Sequence, residues 1–135
     1  MPVLREWLAI WFSRAVGAMD ATTGALLMVI PATTVSLFGA ALPQGDDIAI
    51  RFVGAFVCSV GLVYLWAACR ACGDVRLSRI REVWGATAII RTVIAVFVTI
   101  AVVFRRLELP WITIALTDAG VAALQIWWLK NWKRP

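Results

Sequence analysis

The stretch that decides the fold is VWGATAIIRTVIAVFVTIAVVF, residues 83–104, in which Arg91 is the single charged side chain. An apolar run of this length suits a helix that crosses the ~30 Å hydrocarbon core of a membrane, which takes about 20 residues. The sequence therefore predicts an all-α integral membrane four-helix bundle, with residues 1–135 as one transmembrane domain. Three similar stretches complete the four predicted spans, at about residues 15–38, 48–68 and 111–129.

The composition also favours a membrane protein. Hydrophobic residues make up 62% of the 135 positions, whereas soluble domains contain roughly 45–50% apolar residues. The net charge is +5, but the basic residues fall mainly in loops on one side of the predicted spans. No basic stripe interleaved with exposed aromatic residues is left for nucleic acid. We therefore expect the lipid bilayer as a partner and no nucleic acid.

The arrangement of basic residues predicts the orientation of the spans. Nine of the thirteen lie before the first span, between the second and third, or after the fourth, and these segments share one side if four helices alternate. Arg105 and Arg106 lie on the other side. Because Lys and Arg accumulate in cytoplasmic segments, both termini are expected in the cytoplasm. The nine are Arg5, Arg14, Arg70, Arg76, Arg79, Arg81, Lys130, Lys133 and Arg134.

The N-terminal segment predicts a short interfacial helix over residues 3–12. Its apolar residues Leu4, Trp7, Leu8 and Trp11 recur at helical spacing, which places them on one face. Seven of the eight tryptophans fall near the cytoplasmic ends of the spans, and indole rings favour the headgroup level. We interpret this belt as a lipid anchor, with an aromatic docking face for a partner as the alternative.

Each predicted span contains one charged residue: Asp20, Arg51, Arg91 and Asp118. A charge in hydrocarbon costs roughly 2.5–3.5 kcal/mol on insertion scales, so it is rarely left unpaired. Depths counted at about 1.5 Å per residue favour the pairs Asp20–Arg91 and Arg51–Asp118. Arg91–Asp118 is the competing match, because both residues lie near the midplane. This intramembrane charge network either fixes the helix order or holds a ligand or a proton.

Polar, small and helix-breaking residues surround these charges. Gly17 and Gly24 on the first span, with Gly54 and Gly61 on the second, predict close helix packing. Pro31 removes a helical amide and predicts a kink in the first span. Five threonines lie within about one turn of Asp20, Arg91 or Asp118 and are candidates for lining a polar pocket: Thr22, Thr23, Thr87, Thr92 and Thr117.

Cys69 and Cys72 form a C-x-x-C motif at the end of the second span. A redox pair would resemble small membrane quinone reductases with a four-helix core. We instead expect free thiols, because the cytoplasm is reducing and a helix C-terminus does not favour thiolate. Two thiolates without histidine do not close a tetrahedral zinc site. The chain contains no histidine and no phosphate-cradling glycine loop, so we expect no catalytic residue, metal or cofactor.

Short motifs along most of the chain resemble a group of small bacterial four-helix membrane proteins, broadly similar to DoxX-like proteins. The resemblance implies a four-helix fold in the bacterial inner membrane and carries no activity with it. The motifs are Pro31 with Leu37-Phe38-Gly39, Arg51-x-x-Gly54, Gly61-x-x-Tyr64, Ala67-Ala68-x-Arg70, and Asp118.

The leading functional hypothesis is a non-catalytic integral membrane subunit or scaffold. The chain has almost no mass outside the predicted spans, so it is expected to pack against other membrane proteins or against itself. The alternative is binding or transport of a small apolar molecule, such as a lipid, sterol or quinone, at the charged midplane. A third hypothesis is a membrane enzyme that uses Asp20 or Asp118 as an acid.

Overall fold

The computed structural model describes residues 2–42, 47–69 and 74–131, and in these parts of the chain every regular element is a helix. The prediction of an all-α protein is therefore confirmed. In chain order the elements are α1 (Pro2–Val29), α2 (Pro31–Leu37), α3 (Asp47–Cys69), α4 (Asp74–Val103), a short 3-10 turn (Leu109–Trp111) and α5 (Ile112–Asn131).

Three helical segments are long and apolar enough to cross a membrane: Asp47–Cys69, Arg76–Val103 and Leu109–Asn131. They contain the second and fourth predicted spans and nearly all of the third. Helix α4 begins earlier than the predicted span, at Asp74. The more polar segment before residue 83 is helical too, because Ile80 lies one turn before Trp84 and both side chains are fully buried.

The first predicted span differs from the structure at both ends. Helix α1 runs without interruption through residues 2–29, so the N-terminal helix predicted over residues 3–12 is not a separate element. The helix then breaks at Ile30, because Pro31 has no amide to donate to the carbonyl of Leu27. The break confirms the predicted disruption at Pro31. It also divides the apolar stretch 15–38, which is not among the three membrane-length segments.

The chain divides into two compact units. The first comprises residues 1–37 and 41–83, and the second comprises residues 38–40 and 84–135. The first unit therefore contains α1, α2, α3 and the beginning of α4. The second contains the rest of α4, the 3-10 turn and α5. A single four-helix bundle over residues 1–135 stays a prediction.

In the first unit, α1 and α3 pack so closely that their backbones touch. A Cβ atom added to Gly24 would lie 2.3 Å from the amide nitrogen of Cys58, and one added to Gly61 would lie 2.3 Å from the amide nitrogen of Ala21. Contacts that run from Gly24 to Cys58 and from Ala21 to Gly61 show antiparallel helices. The predicted small-residue packing of the first two apolar stretches is confirmed.

Helix α4 ends in a left-handed turn at a residue other than glycine. Arg105 has φ 55°, its amide donates to the carbonyl of Val102 (2.9 Å), and the amide of Arg106 donates to the carbonyl of Ala101 (2.8 Å). These two bonds form the Schellman motif, which usually places glycine at the left-handed position. An arginine there leaves some backbone strain in the turn.

Candidate functional site

The second unit contains a buried ion pair between two helices. NH1 of Arg91 on α4 donates to Oδ1 of Asp118 on α5. Arg91 is 5% exposed and Asp118 is 9% exposed, so both charged side chains are buried within the protein. The sequence suggests this pair only as the alternative to Asp20–Arg91 and Arg51–Asp118.

Two further contacts set the register of α4 against α5. The rings of Trp84 and Trp128 meet edge to face, with centroids 5.5 Å apart. One turn further along α4, Nε2 of Gln125 donates to Oγ1 of Thr87 over 3.1 Å. Residue numbers rise on α4 as they fall on α5, so the helices are antiparallel. This register brings Arg91 opposite Asp118.

Gln125 belongs to this seam and was missed by the sequence analysis. Its side chain is fully buried, and its partner Thr87 is 4% exposed. The signal for it is its spacing, because Gln125 lies seven residues after Asp118 and hence on the same face of a helix. The seam therefore joins an aromatic contact, an amide–hydroxyl bond and an ion pair along one face of each helix.

Arg51 is placed differently from the other charges. It lies near the start of α3, where Nε and NH2 donate to Oδ2 of Asp47 over 3.0 Å and 2.9 Å. NH1 donates to the carbonyl of Met28, near the C-terminus of α1. Carbonyls in the last turn of a helix lack amide partners, and a cation there is favourable. Arg51 therefore stabilises the end of α1 just before the break at Ile30.

Of the pairings that the sequence suggests, the structure shows Arg91–Asp118. Asp20 is buried on α1, at 6% exposure, and has an interaction within the protein. The expected Asp20–Arg91 and Arg51–Asp118 pairs would each join residues of different units and stay predictions. Arg91 bonds to Asp118, and Arg51 bonds to Asp47 and to the carbonyl of Met28.

The five candidate threonines do not share one environment. Thr87 joins the seam through Gln125. Thr92 and Thr117 donate to carbonyls four residues earlier on their own helices, over 2.7 Å and 2.8 Å. Thr22 is exposed and Thr23 half-buried on α1. Thr92 and Thr117 are therefore adjacent to the two charges but bond to their own helices, whereas Thr87 bonds across the seam.

An apolar groove of about 270 Å³ runs between α4 and α5 in the second unit. Thr92 is its one lining residue with a hydroxyl group. Typical small-molecule pockets are about 300–1,000 Å³, so the groove suits an acyl chain or a small apolar group. Its lining residues are Gly85, Ala88, Ile89, Thr92, Val93, Ile126 and Leu129.

The cysteine motif is described in part. Cys69 is an exposed free thiol at the end of α3, and Cys58 is a half-buried free thiol. Cys72 lies outside the described residues, so the Cys69–Cys72 redox pair stays untested. Across residues 2–42, 47–69 and 74–131 there is no group of three or more Cys, Asp or Glu residues that could hold a metal ion.

Comparison with known proteins adds no relative. No protein-family model, curated protein or solved structure matches the chain. The resemblance to DoxX-like proteins therefore stays a prediction, and the site is interpreted from its own geometry.

Proposed function

We propose that this chain is a non-catalytic integral membrane subunit that packs against other membrane proteins or against a second copy of itself. The observation that carries the proposal is the outward apolar surface of the long helices. No more than 28% of the most apolar window of any of the three membrane-length segments is buried within the chain. Side chains such as Phe52, Phe97 and Leu116 are 66–74% exposed and require lipid or protein around them.

Two glycines favour a protein partner in addition to lipid. Gly85 on α4 and Gly120 on α5 have open space where a Cβ would stand. Glycine in a helix costs roughly 0.5–1 kcal/mol relative to alanine, and packing within the chain does not require it at these positions. Small residues on a membrane-facing surface let a second helix approach closely. Gly24 and Gly61 already serve that purpose inside the first unit.

The ion pair supports an architectural role for the buried charges. A carboxylate that accepts a bond from a guanidinium is neutralised in place, which suits a fixed helix contact better than a moving proton. Removing one partner from a buried pair costs about 3–5 kcal/mol. Arg91 and Asp118 would then hold α4 against α5 and present the outer faces of both helices to a partner.

The proposed location is a bacterial inner membrane, with four crossings and both termini in the cytoplasm. Helix α1 would supply the first crossing, since it packs along α3. The distribution of basic residues supports the orientation. Reporter fusions after Pro135 and within residues 43–46 are expected to report opposite sides of the membrane. A periplasmic C-terminus would contradict this orientation.

Substitutions at the open glycines test the subunit proposal. Gly120→Leu adds a side chain where the chain itself has room, so the variant should fold at least as well as wild type and lose its partner on affinity purification in mild detergent. Ala119→Leu is the matched control, because it adds a similar group about 100° around α5. Wild-type protein that purifies without any second chain would refute the subunit proposal.

The groove favours a second candidate, the binding of a small apolar molecule such as a lipid, sterol or quinone. Gly85 lines the groove, whereas Gly120 does not. A binding protein should therefore lose a co-purified ligand on Gly85→Leu and keep it on Gly120→Leu. Lipid extraction followed by mass spectrometry measures that ligand directly. Equal ligand content in the two variants contradicts this candidate.

A further inference from the structure

One end of the first unit carries arginine side chains stacked on tryptophan rings. The guanidinium carbon of Arg14 lies 5.6 Å from the centroid of the Trp11 ring, and that of Arg79 lies 5.2 Å from the centroid of the Trp66 ring. The ring of Trp7 extends the first pair, at 5.6 Å from the ring of Trp11. We call these five residues the arginine–tryptophan cluster.

The two stacked pairs lie at the same end of the unit. A Cβ on Gly17 of α1 would lie 2.8 Å from the Cβ of Tyr64 and 3.1 Å from Cγ of Leu65 on α3. Arg14 is about one turn before Gly17, and α1 and α3 are antiparallel, so Arg14 is level with the last turns of α3. Trp66 is in those turns, and Arg79 reaches it from the beginning of α4.

The cluster presents both an apolar and a cationic surface. Trp7, Trp11 and Trp66 are 56%, 48% and 47% exposed. A guanidinium that covers an aromatic ring uses its face, whereas its N–H donors lie in its own plane. Two more arginines, Arg76 and Arg81, lie within one turn of Arg79 on α4. The described acidic residues nearest in sequence are Glu6, Asp74 and Glu82, so this end has four arginines and three acidic residues.

We propose that the arginine–tryptophan cluster binds the phosphate of an anionic phospholipid headgroup. The inference rests on the proposed membrane location. Guanidinium N–H groups match phosphate oxygens in pairs, and indole rings favour the headgroup level of a bilayer. The cytoplasmic leaflet carries the anionic lipids, and it is the leaflet that the proposed orientation places beside Arg14 and Arg79. Charge complementarity therefore favours an anionic lipid as the ligand of this surface.

Native mass spectrometry of the full chain in detergent micelles, titrated with phosphatidylglycerol, measures the binding. Each basic residue near an anionic surface strengthens association about fivefold. Arg14→Gln combined with Arg79→Gln should therefore weaken phosphatidylglycerol binding at least about tenfold. Arg105→Gln with Arg106→Gln is the matched control. It removes the same charge from exposed residues after the end of α4 and should change binding by less than about twofold.

A lysine variant and two other ligands provide further tests of headgroup binding. Arg14→Lys with Arg79→Lys retains the charge but loses the planar donors, and it should bind phosphatidylglycerol more weakly than wild type even if the glutamine variant does not fold. Phosphatidylcholine with the same acyl chains should bind at least about tenfold more weakly than phosphatidylglycerol. Inorganic phosphate at the same concentration should not displace the lipid.

Three results would overturn the inference. They are unchanged affinity in both the glutamine and lysine variants, equal binding of the two lipids, or displacement by inorganic phosphate, which would indicate a site for the soluble anion.

A separate experiment shows whether the proposed membrane function fails. A chain released from membranes by alkaline carbonate is not an integral membrane protein, whereas a membrane-embedded chain without a protein partner can still show or lack headgroup binding.

Discussion

Replacing Asp118 by asparagine is the sharpest perturbation of the seam between α4 and α5. The side chains are nearly equal in size, so the change removes a charge and creates no cavity. Arg91, which is 5% exposed, then loses the carboxylate of Asp118 from its buried surroundings. Breaking a buried pair from one side destabilises a protein by about 3–5 kcal/mol, and we expect Asp118→Asn to lower the free energy of unfolding by about that amount.

The ion pair between Asp47 and Arg51 provides a matched control. Asp47 and Arg51 are four residues apart on α3, and their side chains are 53% and 37% exposed. An exposed pair at this helical spacing contributes about 0.3–0.5 kcal/mol. Asp47→Asn makes the same chemical change in front of the same type of cation. It should therefore lower the free energy of unfolding by roughly a tenth of the loss expected for Asp118→Asn.

A double-mutant cycle separates pairing from nonspecific damage. Residues in contact show coupling of about 0.5–3 kcal/mol, and burial places Arg91 and Asp118 near the upper end of that range. Arg91→Gln combined with Asp118→Asn should therefore recover part of the stability that the single variants lose. Unfolding in mild detergent can be followed by tryptophan fluorescence, because Trp84 and Trp128 pack on the same seam. Equal costs for Asp118→Asn and Asp47→Asn, or purely additive double effects, would refute the reasoning.

Three other variants test separate parts of the structure. Gly61→Leu should destabilise the first unit by about 3 kcal/mol or more, because its Cβ would stand 2.3 Å from the amide nitrogen of Ala21; thermal unfolding measures this, and a stable variant would contradict the packing. Arg105→Gly should raise stability by about 0.4–1 kcal/mol, because it relieves the left-handed residue at the end of α4; a loss of stability in the same assay would show that the arginine side chain matters more. Asp20→Asn with Arg91→Gln tests the predicted pair between the two units, and additive losses in a denaturant titration would exclude it.

The all-α fold could be predicted because apolar runs of membrane length are visible in any sequence. The limits of the first helix could not be predicted in the same way. Hydrophobicity marks the apolar part of a helix, whereas α1 continues through the polar segment around Arg14 and ends where Pro31 withholds an amide from Leu27. Helix α4 begins before the predicted span for the same reason, because hydrophobicity does not mark the polar turns of a helix.

The sequence indicates the Arg91–Asp118 pair only as an alternative, because depth along a helix does not determine which of its faces contacts a neighbouring helix. The contacts between Trp84 and Trp128 and between Thr87 and Gln125 set the register that brings Arg91 to Asp118. Depth alone places Arg51 in the predicted intramembrane network. Its observed contacts are with Asp47, four residues earlier on α3, and with a carbonyl that lacks an amide partner at the end of α1.

The most direct test of the subunit proposal is the mass of the intact wild-type protein, taken from its membrane in mild detergent without crosslinking. Native mass spectrometry resolves the chain alone, the chain with small apolar ligands and the chain with further protein. The proposal predicts a complex that contains at least one more protein chain, either different from this one or a second copy. A species at the mass of one chain, with or without a lipid-sized ligand, would contradict it.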